Sequence, residues 1–199
     1  MYSACSFRFI AVAAVGAALL IASFGGAAVL RIEAEDYKPG GEGVGYHDTT
    51  PGNTGNSSYR GDDVDIYDGG GASNGRYIGS VAVGEWTEYE LSIAQAGRYL
   101  IIGGIATNGY TGSRTVEIDG STVASVAVPD TGSFTNFVPV LGDSSFQLTA
   151  GTHDFRSTAV THAHNYDYFD VVDVFDAPGK FEAENYAYFY DHTGGNPNG

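Results

Sequence analysis

Short β-type segments separated by turn residues run through this chain from about residue 29 to residue 175. In the segment 87–93, for example, Tyr89, Leu91 and Ile93 alternate with polar residues, as on a half-buried strand. Asp119 and Gly120 form a turn signal between two such segments, in a hairpin whose connection we expect to exceed two residues. No stretch after residue 28 keeps a 3.6-residue apolar period. The pattern predicts an all-β protein, an antiparallel β-sandwich.

A repeat of domain length divides the chain. The heptapeptide RIEAEDY at 31–37 returns as KFEAENY at 180–186, after an Ala-Pro-Gly boundary at 177–179. We therefore expect one complete module over 30–176, a linker over 177–179 and the truncated start of a second module over 180–199. Repetition at this length is typical of tandem binding modules.

The N-terminal segment 1–28 has the layout of a secretory signal peptide. Arg8 precedes an apolar run over 9–24, and small residues follow it. The run is shorter than the ~20 apolar residues of a membrane-spanning helix, although a retained membrane anchor is the alternative. Cys5, the only cysteine, lies in this segment, so the mature chain can form no disulfide. We expect a secreted, extracellular protein.

The charge of the chain limits its partners. It has 24 acidic and 9 basic residues, a formal net charge of −15. This excess repels phosphate backbones and anionic lipids, so we expect neither a nucleic acid nor a membrane partner. Divalent cations and neutral, hydroxyl-rich ligands are compatible with it. The long polar and aromatic segment 38–75 is typical of loops that carry function.

Six segments, in order over 31–175, together resemble the family 6 carbohydrate-binding modules: IEAEDY, GGEGVGYHDTTPGN, YRGDDVDI, VGEWTEYEL, AQAGRYLI and NYDYFDVVDVF. The resemblance implies a β-sandwich jelly roll that binds polysaccharide through its loops and has no catalytic activity. It also implies a structural Ca²⁺ beside the first strand. Such modules usually accompany secreted glycoside hydrolases, and tandem copies raise avidity when both engage one polymer.

Two glutamates near the start of the module are candidate metal ligands. Glu33 and Glu35 are two apart, which on a strand places both carboxylates on one face, where they could share a cation. Oxygen ligands suit Ca²⁺, and the resemblance adds Asp167 as a further ligand. Glu182 and Glu184 repeat the pair in the second copy. The alternative is a solvated strand face.

The resemblance also implies a sugar site in which two aromatic rings sandwich a pyranose and an amide reads its hydroxyls. Phe134 matches one ring position and Asn165 matches the amide. The other ring normally stands six residues before the tryptophan of the GEW segment, Trp86. Ser80 occupies that position here, which is a departure from the family pattern.

Other aromatic residues are candidates to replace the missing ring. Tyr77 is the nearest, and Tyr46 and Tyr59 in the long loops could also reach over the cleft. The resemblance places His47 where the family often has a polar contact. Trp86 shares a strand face with Glu88, which matches a secondary carbohydrate-binding cleft on the sheet face of some family members. Ordinary packing or a hydroxyl bond that anchors a loop is the alternative for each tyrosine, and a tryptophan that covers one sheet edge is the alternative for Trp86.

These observations favour a non-catalytic module that targets a secreted protein, such as a glycoside hydrolase, to neutral polysaccharide. The sequence offers no nucleophile elbow, phosphate loop or Ser/His/Asp order that would indicate an enzyme. The competing hypothesis is a calcium-stiffened adhesion or spacer domain, and Ser80 in place of a ring favours it.

Overall fold

The computed structural model describes residues 29–174, so the predicted signal peptide, linker and second-module segment lie outside the described residues. Within this range the chain forms strands and one short 3-10 helix over Ala34–Asp36. No helix in residues 29–174 combines the length and hydropathy that crossing a membrane requires. The strands are β1 Val29–Glu33, β2 Tyr46–His47, β3 Ile66–Asp68, β4 Arg76–Ile78, β5 Trp86–Ile93, β6 Gly97–Thr107, β7 Gly112–Ile118, β8 Ser121–Val128, β9 Ser133–Leu141, β10 Phe146–Leu148, β11 Gly151–Ala159 and β12 Asn165–Asp173.

The strands form two antiparallel sheets. A seven-stranded sheet has the order β10-β6-β12-β4-β3, with β1 paired to β12 and β9 paired to β6. A five-stranded sheet has the order β2-β5-β11-β7-β8. Neighbours along the chain are often separated in the sheet, as in a sandwich with crossover connections. The predicted antiparallel β-sandwich is confirmed.

Aromatic rings join the two sheets at the centre of the core. Tyr89 on β5, Phe155 on β11 and Phe169 on β12 are at most 2% exposed. The Phe155 and Phe169 ring centroids are 5.3 Å apart, and those of Tyr89 and Phe155 are 5.8 Å apart, edge to face. The inward face predicted for β5 is confirmed, since Tyr89, Leu91 and Ile93 are all buried.

The β7–β8 hairpin is tighter than expected. Ile118 pairs with Ser121, so Asp119 and Gly120 alone make the connection, with φ angles of 50° and 76°. Positive φ at both central residues defines the type I′ turn that suits the twist of a hairpin. The expectation of a longer connection was wrong because β8 begins at Ser121.

Aspartates fasten the loop that precedes β3. Asp63 Oδ1 accepts a hydrogen bond of 2.8 Å from the amide of Gly52, and Asp65 Oδ1 accepts one of 2.5 Å from the amide of Thr54. Carboxylates bonded to main-chain amides hold irregular backbone in place where no disulfide is present. This fastening sets the position of β3 and of Tyr67 within it.

Candidate functional site

A cleft of about 490 Å³ is formed by residues of the seven-stranded sheet and its loops. None of its lining side chains is a carboxylate, an ammonium or a guanidinium group. The lining residues are Tyr67, Tyr77, Ser80, Val81, Phe134, His162, Ala163, His164 and Asn165. The structure therefore brings four predicted site residues, Tyr77, Ser80, Phe134 and Asn165, into one cleft.

Asn165 lies at the base of the cleft, where three strands meet. It pairs with Ala106 on β6, while the adjoining residue of β6 pairs with Ser133 at the start of β9. Asn165 is 7% exposed, and its Nδ2 donates a 2.7 Å hydrogen bond to the carbonyl of Phe134. A Cβ at Gly79 would lie 2.7 Å from Asn165 Oδ1. Glycine at this position therefore leaves room for a fixed amide that has further hydrogen-bonding capacity.

A stack of rings forms the Ser80 side of the cleft. Tyr67 on β3 is paired with Tyr77 on β4, and their rings are stacked with centroids 5.4 Å apart and an interplanar angle of 9°. Phe137 contacts Tyr77 as well, at 5.2 Å. Tyr77 is only 8% exposed, whereas Tyr67 is half-buried.

Tyr67 is the ring that the sequence analysis missed. Its hydroxyl lies 2.6 Å from Ser80 Oγ, so this ring reaches the position where the family pattern has an aromatic residue. Tyr77, the predicted replacement, lines the cleft but supports Tyr67 from below, because neighbouring rings cover it. The alternation in Ile66-Tyr67-Asp68, with Ile66 buried, was the available signal that Tyr67 faces away from the core.

A second group of aromatic side chains lies at the cleft. Phe134, at the start of β9, is half-buried. The ring of Tyr110, in the β6–β7 connection, lies 6.4 Å from that of Phe134 at an interplanar angle of 33°. Tyr110 in turn contacts His162 edge to face at 5.6 Å. No sequence signal had singled out Tyr110.

A buried arginine contacts His164, the cleft-lining residue that directly precedes Asn165. Arg114 on β7 is fully buried, and its Nη1 donates to His164 Nε2 at 3.0 Å while its Nε donates to Ser157 Oγ at 2.9 Å. Its guanidinium lies 3.8 Å from the centroid of the Tyr166 ring. Burial, and then the charge of Arg114, lowers the pKa of His164 to about 3. His164 is thus a neutral acceptor that ties the cleft wall to the other sheet.

Two residues predicted for the cleft lie elsewhere. Tyr46 on β2 is 4% exposed, and its ring packs edge to face against Tyr37 at 5.6 Å. The prediction that Tyr46 contacts sugar was wrong because its ring is part of the core. His47 places Nδ1 2.5 Å from Glu42 Oε1, and its ring lies 6.4 Å from Trp86 on the five-stranded sheet. It does not line the 490 Å³ cleft.

The side chains of Trp86 and Glu88 are engaged by cations. The guanidinium of Arg156 lies 3.9 Å from the Trp86 ring centroid, and its Nε donates to Glu88 Oε2 at 2.7 Å. Lys38 forms an ion pair with the other Glu88 oxygen. Trp86 is half-buried and Glu88 is 8% exposed, so little of this pair faces solvent. A secondary carbohydrate site here stays a prediction, and it would require a ligand to share the ring with Arg156.

Three predicted metal ligands are gathered around one loop. Ser73 Oγ donates to Glu33 Oε2 at 2.8 Å and lies 3.1 Å from Asp167 Oδ1, while Asn74 Nδ2 donates to Glu35 Oε1 at 2.7 Å. The prediction that Glu33 and Glu35 share one face of a strand was wrong. β1 ends at Glu33, and Glu35 lies in the 3-10 helix. The chain turns there, and the loop brings the carboxylates together instead.

These carboxylates fit a hard cation. Burial raises the pKa of all three, and Glu35 is fully buried with Oε2 lacking a hydrogen-bond partner. A buried carboxylate oxygen without a partner is costly, and a cation that prefers oxygen ligands would relieve that cost. Among residues 29–174 no three acidic, histidine or cysteine side chains are already arranged as a metal site. Calcium therefore stays a prediction.

Solved structures share this fold. One is the C-terminal family 6 module of LamC, a laminarinase from Zobellia galactanivorans. It is 21% identical to this chain, with a TM-score of 0.56 over 73% of this chain and 100% of its own. A family 6 module from Clostridium stercorarium, in complex with cellobiose, is 20% identical, with a TM-score of 0.53 over 73% of this chain and 94% of its own. An exo-β-1,3-galactanase from Phanerochaete chrysosporium is 19% identical, with a TM-score of 0.53 over 72% of this chain and 29% of its own.

Sequence comparison agrees with the fold. No curated protein matches the chain. The family model described as carbohydrate binding module, family 6, matches residues 54–175, which include every residue that lines the cleft. The chain therefore belongs to the family 6 carbohydrate-binding modules, which bind carbohydrate without catalysing its cleavage.

Proposed function

We propose that this chain binds neutral polysaccharide in the cleft between Tyr67 and Phe134, with Asn165 at its base. One observation carries the proposal: a chain with a formal charge of −15 lines this aromatic cleft with no carboxylate, ammonium or guanidinium group. A cleft without such groups offers no ion pair to a phosphorylated or acidic sugar, so neutral sugars fit it better.

Each group in the cleft has a defined role in this proposal. The faces of a pyranose are apolar C–H surfaces that pack against aromatic rings, which Tyr67 and Phe134 supply from two sides. The amide of Asn165 hydrogen-bonds hydroxyl groups at the ring edge, and its bond to the Phe134 carbonyl fixes its orientation beforehand. Preorganised groups lose little conformational entropy when the ligand binds.

We further propose that the module is exported and holds an attached glycoside hydrolase on its polysaccharide. Residues 1–28 support export by their signal-peptide layout. The similarity to 29% of a galactanase chain supports attachment to a catalytic domain, since that enzyme carries the same fold within a longer polypeptide. The partial repeat of 31–37 at 180–186 supports a tandem module in the same chain.

A bound Ca²⁺ is the third part of the proposal. Glu33, Glu35 and Asp167 would hold it, since all three are drawn to the loop that contains Ser73 and Asn74. The cation would neutralise buried carboxylates and stabilise the start of β12. Asp167 is two residues from Asn165, so this stabilisation would also steady the base of the cleft.

Retention on insoluble polysaccharides tests the binding proposal. Purified protein is mixed with cellulose, xylan, agarose or β-1,3-glucan, and the unbound fraction is measured. We expect retention on at least one polymer, its loss in Asn165→Ala, and unchanged retention in the control Leu141→Ala, which removes an exposed apolar side chain from the far end of β9. No retention on any neutral polymer would contradict the proposal and favour the spacer hypothesis.

A further inference from the structure

An exposed aromatic residue, Tyr110, lies next to the cleft and contacts Phe134. Tyr110 is 45% exposed although its ring contacts two others. It does not line the cleft itself, but its ring centroid is 6.4 Å from that of Phe134 and 5.6 Å from that of His162. Tyr110 thus adjoins the cleft through two of its lining residues, Phe134 and His162.

The two loops that carry these rings are fastened to each other. Asp130 Oδ1, in the connection before β9, accepts hydrogen bonds of 2.9 Å from the amides of both Gly109 and Gly132. These amides lower the pKa of the Asp130 carboxyl, so the contact is made by a carboxylate at neutral pH. Thr131 adds to the fastening, because its Oγ1 accepts from the amide of Thr107 at 3.0 Å.

This fastening matters for binding because it fixes Tyr110 relative to Phe134. Gly109 directly precedes Tyr110, and Gly132 lies two residues before Phe134, so one carboxylate holds the backbone next to both rings. A loop that only needed to connect β6 to β7 would not require an exposed ring held in a set position. Rigid, exposed aromatic surface is what a sugar-stacking site requires.

We propose that Tyr110 forms a second sugar subsite beside Phe134, so that the protein binds neutral oligosaccharide chains longer than the cleft alone accommodates. This inference rests on the proposed function of the cleft. The ligand at Tyr110 is another unit of the same neutral glycan, because the Tyr110 ring adjoins that of Phe134 and the cleft is lined by no carboxylate, ammonium or guanidinium group. Tyr110 thereby favours stretches of several units over short oligosaccharides.

Calorimetric titration with glycans of increasing length tests the subsite. The probes are cello-oligosaccharides and laminari-oligosaccharides of two, four and six units, titrated into wild type, Tyr110→Ala, Tyr110→Phe and the control Leu141→Ala. We expect Tyr110→Ala to weaken binding of the longest bound probe by about two- to tenfold, the range for one aromatic contact. Its affinity for the disaccharide should not change. Tyr110→Phe should bind like wild type because the ring remains.

The outcomes separate the subsite from the cleft. If wild type binds the disaccharide and Tyr110→Ala lowers the affinity equally at every length, Tyr110 only supports Phe134 and the subsite is refuted. The subsite is also refuted if the variant binds all lengths as wild type does. If wild type binds none of the probes, and no neutral polymer retains it, the function proposed for the cleft fails as well.

Discussion

Replacing Glu35 with glutamine tests the proposed calcium site most sharply. The variant should be more stable than wild type without the metal and less stable than wild type with it. Glu35 is fully buried; Asn74 donates to one of its oxygens, and the other has no hydrogen-bond partner. Glu33 and Asp167 add like charge nearby. Without calcium, Glu35→Gln removes a buried charge at nearly constant shape, and we expect a gain of about 1 kcal/mol in the free energy of unfolding.

With calcium bound, we expect wild type to be more stable than Glu35→Gln. A ligand present at ~100 times its Kd stabilises a protein by about 2.7 kcal/mol. For a domain of this size each kcal/mol corresponds to roughly 2–4 °C in Tm, so we expect the wild-type Tm to rise by about 5–11 °C. Glu35→Gln loses one charged ligand, and its Tm should rise by less than about 2 °C under the same conditions.

The assay is a thermal melt of metal-stripped protein, with EDTA and with added Ca²⁺. Glu90→Gln is the matched control: Glu90 is an exposed carboxylate on β5, so both of its Tm values should follow wild type. An unchanged wild-type Tm after calcium addition would remove the proposed site. If Glu35→Gln responds to calcium as wild type does, Glu35 is not a ligand.

Three further predictions follow from single contacts. Gly79→Ala should weaken glycan binding about two- to tenfold in calorimetry, because its Cβ would crowd Asn165 Oδ1 at 2.7 Å; unchanged affinity would show that the amide position is not critical. His153, whose pKa is raised first by its hydrogen bond to Asp119, should stabilise the fold below pH ~6.5 relative to His153→Gln, with the difference lost as pH rises through the raised pKa; a pH-independent difference in denaturant unfolding would contradict this. Binding in the cleft should leave the fluorescence of Trp86 unchanged, and quenching by ligand would instead support the secondary site.

Local sequence patterns predicted the parts of the fold that depend on near neighbours. The alternation in β5 indicated its inward face, and Asp119 with Gly120 indicated a turn that requires positive φ. β9 has no comparable local signal, because its residues show no regular alternation of buried and exposed side chains and Pro139 lies within it. Among the described strands β9 pairs only with β6, so the backbone amides on its other edge have no strand partner. A proline, which has no amide hydrogen to donate, is tolerated on such an edge strand.

The candidate site was only partly predictable because its geometry depends on contacts distant in sequence. Phe134 and Asn165 were identified by position, but nothing local showed that Tyr67 reaches toward Ser80 across the β3–β4 pair. Exposed rings such as Tyr110 carry no periodic signal that separates them from other surface tyrosines. The carboxylates came together through a loop rather than a strand face, since the backbone turns after Glu33.

Mapping of backbone amide shifts by NMR during titration with a neutral hexasaccharide tests the central claim most directly. We predict shifts concentrated in the segments that carry Tyr67, Phe134 and Asn165, with no release of reducing sugar during the titration. Shifts centred on Trp86 in the five-stranded sheet would contradict the account, as would cleavage of the oligosaccharide or the absence of shifts with every neutral glycan tested.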